Sequence, residues 1–400
     1  MRRTESRRGA CSMRMPSAYT KGYESARALD PDRARNYVAH TLIGDPAADE
    51  LIEELAPLGQ EELGRLLQIG MDGDERALRE APAVLREFFE SCAAPPDWLD
   101  LPGHVPGIRM FHRNSALVLG AMVAGTLVEG FATNIAKSFF ITGKIRDQGI
   151  RRLKQNNRHM MEIFLPGGLE RDGDGWKLSV RIRLVHAMVR RLLDASEDWD
   201  HEAWGTPVSA AHTGFAITAF SARSLKHLKS LGAQFNDEER ASFMQVWRYS
   251  GHLMGIPETI LFRDEPDALE TFRIGLACEP DAELESISLA NALVNSSPLI
   301  AGVTEPAARR RLAHYVFRVS RALIGPRVAD QLMFPRYPTF GVLWWFRMQN
   351  RYDDLMNRLY KSRARKNNKL SAMLDVSMVD EAGISYRLPD HVYAEESSWW

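Results

Sequence analysis

From Arg109 onwards the chain is a series of segments in which apolar residues recur at three- and four-residue spacing, each separated from the next by glycine or proline. No segment alternates apolar and polar residues over the length of a strand with turn residues at its ends. The pattern predicts an all-α fold, a single large multi-helix domain. The expected helices cover residues 109–140, 146–164, 177–195, 208–232, 237–254, 265–276, 281–297, 305–323, 326–333 and 340–360.

Composition divides the chain into four parts. We expect residues 1–30 to be a disordered N-terminal lead, 31–100 an N-terminal helical section, 101–362 the helical core and 363–400 a C-terminal tail. The N-terminus carries arginines without the apolar region of a secretory signal, so a cytoplasmic location is expected. The longest apolar run, Ala116–Val128, is shorter than the roughly 20 residues that span a bilayer, which predicts a buried helix and no transmembrane segment.

Charge and cysteine content exclude several classes of protein. Lys and Arg number 51 against 52 Asp and Glu, so there is no net field that would attract nucleic acid. Cys11, Cys92 and Cys278 form no CxxC, CxxCH or zinc spacing. We therefore expect no disulfide framework, no zinc site and no covalently attached haem. The oligomeric state is left open.

A helix expected over residues 177–195 places one histidine beside an apolar stripe. The stripe consists of Ile182, Val185, Val189, Leu192 and Leu193. His186 lies at its edge, with Arg183 and Arg190 about one turn to either side. Such a histidine is usually a packed residue with hydrogen-bonded ring nitrogens. It is also what an axial ligand of haem iron requires, with aliphatic side chains to exclude water and an arginine to pair with a propionate.

The preceding helix carries a polar stripe. Arg152, Gln155, Asn156 and His159 follow one another at i, i+3, i+4 and i+7, so they share one face. This face could be a boundary with solvent. It could also be the wall of a pocket that offers hydrogen-bond donors to bound dioxygen or to a substrate oxygen.

A set of short segments along residues 100–340 resembles one known family. The segments are ITGK at 141–144, LPGGL at 165–169, VRIRLVHAMVRR at 180–191, WGTPVS at 204–209, WRYSGHLMGIPETIL at 247–261 and GPRVADQLMFP at 325–335. Their order and spacing are similar to those of the helical haem oxygenases that include latex-clearing protein (rubber oxygenase) and the fungal MpaB-type enzymes.

This resemblance implies a b-type haem whose iron is held by His186, in an HAxxR segment completed by Ala187 and Arg190. It implies that Arg183 and Arg190 contact the cofactor and that Arg152 lies on the distal side. The distal lysine and threonine of the rubber-cleaving members are replaced here by Gln155 and Asn156.

Arg152, Gln155 and Asn156 are therefore the expected catalytic residues. Dioxygen is the implied co-substrate and a small apolar molecule the implied substrate, with oxidative cleavage of a carbon–carbon double bond among the implied reactions. The two replacements count against polyisoprene as that substrate. No catalytic base is assigned, because Glu129, the only acidic residue of the preceding helix, does not fit the family register.

Other interpretations remain open. The chain could be a non-catalytic helical protein that binds haem or an apolar ligand, or a metal-free interaction domain. A ferritin-like di-iron site is disfavoured because no Glu-x-x-His occurs. His252 is expected to be structural, and the tryptophans at 204, 247, 344 and 345 are expected to fill the core or its rim. The amphipathic segment 344–361 is expected to cover the domain's own core rather than a membrane surface or a partner helix.

Overall fold

Helices are the only regular secondary structure in the described part of the chain, which in this computed structural model comprises residues 14–142 and 145–360, without the side chains of 145–153, 300 and 353–360. The all-α prediction is confirmed. The N-terminal helices are α1 (Thr20–Arg27), α2 (Pro31–His40), α3 (Pro46–Leu55), α4 (Gln60–Asp72), α5 (Glu75–Glu80) and α6 (Ala83–Ala93).

Fifteen further helices follow within the described residues. They are α7 (Val105–Arg113), α8 (Ser115–Ala121), α9 (Leu127–Phe131), α10 (Ile135–Ile141), α11 (Ile145–Ile163), α12 (Asp174–Asp194), α13 (His201–Trp204), α14 (Ala210–Thr218), α15 (Ser224–Leu231), α16 (Asp237–Leu253), α17 (Glu265–Cys278), α18 (Leu284–Ile300), α19 (Pro306–Ile324), α20 (Pro326–Gln331) and α21 (Val342–Tyr360). Most boundaries lie within a few residues of the sequence prediction.

Two predicted helices are interrupted. The helix expected over 109–140 is divided into α7, α8, α9 and α10, and a π-helical turn at Met122–Thr126 lies between α8 and α9. A second π-helical turn, Ala219–Arg223, lies between α14 and α15. Wide turns of this kind occur frequently at functional sites, and here they redirect the side chains that follow them.

Local signals place the helix ends. Asp45 accepts a hydrogen bond from the backbone N–H of Ala48 in front of α3, which begins with a proline. Asn236 and Glu239 form a capping box at the start of α16. Gly232 ends α15 with a φ of 103°, a left-handed conformation that a glycine adopts without a steric penalty.

The prediction of a disordered lead is wrong for residues 17–30, which include a short 3₁₀ turn at Ser17–Tyr19, α1 and Asp30, the N-cap of α2. Tyr19 is fully buried and its hydroxyl lies 2.8 Å from Nε2 of His212. At Gly22 a Cβ atom would lie 2.1 Å from the carbonyl oxygen of Cys278, so α1 packs with its backbone directly on α17. Residues 1–13 and the expected tail at 363–400 lie outside the described residues.

A buried polar network joins this N-terminal part to the core. The carboxylate of Glu279 accepts hydrogen bonds from the Tyr37 hydroxyl and from the backbone N–H of Asn134, each at 2.7 Å. Burial and the neighbouring Glu279 raise the pKa of the Cys278 thiol to about 12, so this thiol stays protonated. The hydrophobic core is also continuous across residue 100, the expected boundary between the two sections.

The site region lies where four helices meet. α3, α11 and α16 each pack against α12; in addition, α11 packs against α18 and α16 against α7. No single helix among the described residues is long and apolar enough to cross a bilayer. One bent pair, Pro102–Arg113 with Ser115–Phe131, meets the length and hydropathy criteria together but bends by 82°.

Candidate functional site

α11 and α12 lie side by side and run in opposite directions. At Gly175 a Cβ atom would lie 2.7 Å from the carbonyl oxygen of Glu162, so the two backbones approach closely there. One turn further along α12, Oγ of Ser179 lies 3.0 Å from Nε2 of His159. As residue numbers increase along α12, those of the contacting residues on α11 decrease. The two helices therefore pack in an antiparallel register.

This register brings the two predicted stripes together. His186 is seven residues beyond Ser179, and Arg152 is seven residues before His159, a rise of about 10.5 Å along each helix. Two turns return a residue to nearly the same face, so the register continues to Arg152 at the level of His186, with Gln155 and Asn156 between. This register places the backbone of Arg152; its side chain lies outside the described residues.

A neutral polar cluster lies in the seam, the contact region between α11 and α12. The His159 ring also lies 3.3 Å from Oγ of Ser250, so His159, Ser179 and Ser250 connect α11, α12 and α16. Burial lowers the pKa of His159 to about 3, which keeps the imidazole uncharged at neutral pH. The cluster was only partly foreseen from the sequence: His159 stood on the polar stripe, but its serine partners carried no signal.

The polar stripe on α11 is an interior surface over its described part. Gln155 and His159 are buried and Asn156 is half-buried. The interpretation as a boundary with solvent therefore does not hold for these residues. The interpretation as a pocket wall is consistent with their burial.

α12 has one closely packed side and one that is partly open. Leu184, Ala187 and Met188 are almost completely buried. Val185, His186 and Val189 are only half-buried, and Nδ1 of His186 is itself shielded from solvent. His186 shares the side of α12 that carries Ser179 and faces α11. An imidazole set among aliphatic side chains opposite a polar wall is a nitrogen donor that could hold a haem iron.

Arg183 and Arg190 extend towards α3. Arg183 contacts both carboxylate oxygens of Asp45, with Nε to Oδ2 at 2.5 Å and Nη2 to Oδ1 at 2.8 Å. Arg190 donates from Nε to Asp49 at 2.8 Å and from Nη1 to the Val208 carbonyl at 2.6 Å. Both guanidinium groups thus tie α12 to the N-terminal helices. Their expected contact with a cofactor stays a prediction.

A second buried cluster lies between the two π-helical turns. The carboxylate of Glu129 accepts hydrogen bonds from Arg223 and from Nε2 of His227, the latter at 3.1 Å. Burial alone would raise the pKa of Glu129, but the charge and hydrogen bonds of His227 and Arg223 outweigh it and lower the pKa. A carboxylate held in this way accepts a proton poorly, so the structure gives no reason to assign Glu129 as a base.

His252 lies apart from the seam cluster, half-buried, with Nδ1 3.6 Å from Glu258 and its ring against Trp98 and Tyr249. Burial lowers its pKa. Within the described residues no group of three or more His, Cys, Asp or Glu side chains could hold a bare metal ion. A haem iron requires a different arrangement, because the porphyrin supplies most of its ligands.

The all-α fold, with a buried polar seam between α11 and α12, defines a class of multi-helix domains. The family described as "ER-bound oxygenase mpaB/B'/Rubber oxygenase, catalytic domain" matches residues 108–351, and the chain belongs to this family.

Two individual proteins are similar to the chain. The rubber oxygenase of Streptomyces sp. (strain K30) is 23% identical over 226 residues, which is 54% of this chain and 54% of that protein. The match thus spans about half the length of this relative. The structure of latex clearing protein LCP in the closed state has a TM-score of 0.65 at 18% identity and covers 85% of this chain and 91% of that one. This likeness shows the fold.

Proposed function

We propose that this protein is a haem b-dependent oxygenase that uses dioxygen to oxidise a small apolar molecule. Membership of the MpaB and rubber oxygenase family supports oxygenase chemistry in general. The observation that carries the proposal is the antiparallel register fixed by His159 and Ser179. It sets the polar stripe of α11 against the His186 stripe of α12.

His186 would hold the iron. Its half-buried ring stands among Val185, Val189 and the buried Ile182, which limit the access of water. When bound, a haem supplies the iron that activates dioxygen. Arg183 and Arg190 would orient the cofactor, either directly or by fixing α12 against α3.

On the other helix, Arg152, Gln155 and Asn156 would line the distal side. A glutamine amide donates hydrogen bonds and is a poor iron ligand, whereas a lysine can occupy the sixth position. We therefore propose that the Gln155 amide would offer a hydrogen bond to an oxygen atom of dioxygen or substrate and would not itself bind the iron. The same two replacements, Gln155 and Asn156, favour a small alkene over polyisoprene. A cytoplasmic location is part of this proposal.

A non-catalytic haem- or apolar-ligand-binding protein is the second candidate. It is favoured by the same replacements, because a pocket can retain its fold while losing the groups that direct oxygen. Oxygen consumption by the haem-loaded protein in the presence of small alkenes separates the two candidates. Haem binding without oxygen consumption supports the second.

The visible absorption spectrum tests the cofactor. Protein produced with a haem precursor should show a Soret band that is lost in His186→Ala and restored by added imidazole, because the free ligand can enter the vacated position. His201→Ala is the matched control, since His201 is half-exposed and paired with Asp194. An unchanged spectrum in His186→Ala, or no haem in the wild type, would refute the proposal.

A further inference from the structure

The segment from Phe340 to Tyr352 exposes several aromatic side chains. Phe340 is 99% exposed, Trp344 57%, Trp345 54% and Tyr352 61%. Among the described residues, every large aromatic side chain that is more than about a third exposed lies in this segment. The expectation that Trp344 and Trp345 fill the core or its rim is wrong. An exposed apolar patch of this density marks an interaction surface.

α21 is held on the protein by its other side. Val342, Leu343 and Phe346 pack against the hydrophobic core, and the Tyr315 hydroxyl lies 3.3 Å from Oε1 of Gln349. The outward stripe is formed by residues at three- and four-residue spacing, namely Trp345, Met348 and Tyr352, with Phe340 just before the helix. The expectation that this segment covers the core therefore holds for one face only.

Positive charge surrounds the aromatic stripe. A cavity of about 490 Å³ beside it is lined by Trp344 and Met348 and by four cationic side chains, those of Lys229, Arg240, Arg347 and Arg351. Arg240 lies between Asp237 and Glu265, at 3.7 and 3.5 Å. Within the described region neither Arg347 nor Arg351 has a carboxylate partner.

The sequence that follows continues this pattern. Residues 361–369 contain five basic residues and no acidic one, in a chain whose net charge is −1. The basic residues are Lys361, Arg363, Arg365, Lys366 and Lys369. The only acidic residues in α21 are Asp353 and Asp354. Basic residues therefore follow α21 directly in the sequence.

We propose that this surface, formed by residues 340–352 and the cation-lined cavity, binds the surface of an anionic lipid bilayer. Tryptophan and tyrosine favour the interface between headgroups and acyl chains, and phenylalanine and methionine insert more deeply. Arg347 and Arg351, which have no carboxylate partner among the described residues, are suited to lipid phosphates. A second copy of the chain would also cover the aromatic groups, but it would leave the basic charge facing equal charge.

Flotation with lipid vesicles tests this surface, and the measurement does not depend on haem. The full chain should float with vesicles of phosphatidylcholine and phosphatidylserine and should bind much more weakly to phosphatidylcholine alone. Added salt should weaken the binding, because screening reduces attraction between exposed charges. Absence of binding by the wild-type chain would overturn the proposal and would indicate that the segment after residue 360, or another partner, covers the surface.

Paired variants connect the binding to the named residues. Trp345→Ser and Tyr352→Ser should each weaken vesicle binding roughly tenfold by removing a large apolar group from the lipid. Arg351→Gln should weaken it about fivefold, and only with the anionic vesicles. Leu58→Ser is the apolar control, since Leu58 is 52% exposed on the N-terminal section, and Arg76→Gln is the charge control.

Light scattering tests whether a second copy of the chain, rather than a lipid bilayer, covers the surface. If the wild type is a dimer that Trp345→Ser converts to a monomer, and neither floats with anionic vesicles, a second copy covers the surface and the proposal fails. Equal binding by Trp345→Ser, Arg351→Gln and the two controls would also overturn it. Circular dichroism confirms that the variants are folded.

Discussion

Nε2 of His159 and Oγ of Ser179 are 3.0 Å apart in a fully enclosed seam, and this contact aligns the two helices that carry the candidate site. His159 lies two turns from Arg152 on α11, and Ser179 lies two turns from His186 on α12. The site residues therefore depend on a polar contact that is not part of the site. Because the imidazole is neutral, the contact does not introduce a buried charge.

Removal of the serine partners should destabilise the protein in two steps. Ser179→Ala should lower the free energy of unfolding by about 1 kcal/mol, because Ser250 still contacts His159. The double variant Ser179→Ala with Ser250→Ala should lower it by a further 1–3 kcal/mol or so, since a buried imidazole nitrogen loses both partners.

Urea unfolding followed by circular dichroism measures both steps. Ser25→Ala, at an exposed helix position where the hydroxyl bonds the Lys21 carbonyl, is the control. A double variant as stable as the single one would show that the cluster does not hold the seam.

The stability of the protein should fall in mild acid because of His159. In the folded state its pKa is about 3, whereas the unfolded chain has the ordinary value of 6.5. Between these values the unfolded state binds the additional proton, so the free energy of unfolding falls by about 1.4 kcal/mol for each pH unit below 6.5.

A comparison of the wild type with His159→Gln isolates this contribution, because other buried histidines titrate in both proteins. Between pH 7 and pH 5 the wild type should lose about 2 kcal/mol more than the variant. Equal losses, measured by urea unfolding at each pH, would show that the imidazole is accessible to protons in the folded state.

The ion pair between Arg183 and Asp45 should be required for docking of the N-terminal helices. Both side chains are nearly buried, so Asp45→Asn retains the helix cap but leaves the guanidinium charge without its carboxylate. We expect a loss of about 3–5 kcal/mol in the free energy of unfolding. Asp32→Asn, at an exposed pair with Arg35, should change it by less than about 0.5 kcal/mol.

Thermal unfolding with and without haem then tests whether Arg183 also contacts the cofactor. If the arginine serves only to dock α3, haem should stabilise Asp45→Asn and the wild type to the same extent. A smaller haem-induced rise in Tm for Arg183→Met than for Asp45→Asn would indicate that the guanidinium group contacts the cofactor.

The sequence predicted the helices well because glycine and proline mark most of their ends, as at Gly232 and at the Pro306 start of α19. It did not predict the π-helical turns at 122–126 and 219–223, since neither differs in periodicity from a regular helix. The partners of Arg183 and Arg190 were also missed. Their carboxylate partners, Asp45 and Asp49, lie 138 and 141 residues away, and no local pattern connects such distant positions.

Amphipathicity in α21 likewise showed that one face is apolar without showing which face packs. The burial of individual side chains shows which face packs, because Leu343 and Phe346 face the core while Trp345 does not. For the site, His186 and the stripe on α11 are separate features of the sequence. Only the contact between His159 and Ser179 relates them in space.

Close packing of α1 on α17 should make Gly22 intolerant of a side chain. A Cβ atom there would lie 2.1 Å from the Cys278 carbonyl oxygen, so Gly22→Ala must displace α1 and should cost about 1–3 kcal/mol. Gly120 in α8 is the matched control, because its nearest neighbour would be Cδ1 of Leu231 at 3.9 Å. Gly120→Ala should be neutral or raise stability by about 0.5–1 kcal/mol through the higher helix propensity of alanine.

Limited proteolysis should cleave Gly22→Ala near residue 30 faster than either the wild type or Gly120→Ala. If the two glycine variants were equally stable and equally resistant, residues 17–30 would not be docked, and the expectation of a disordered lead would apply after all.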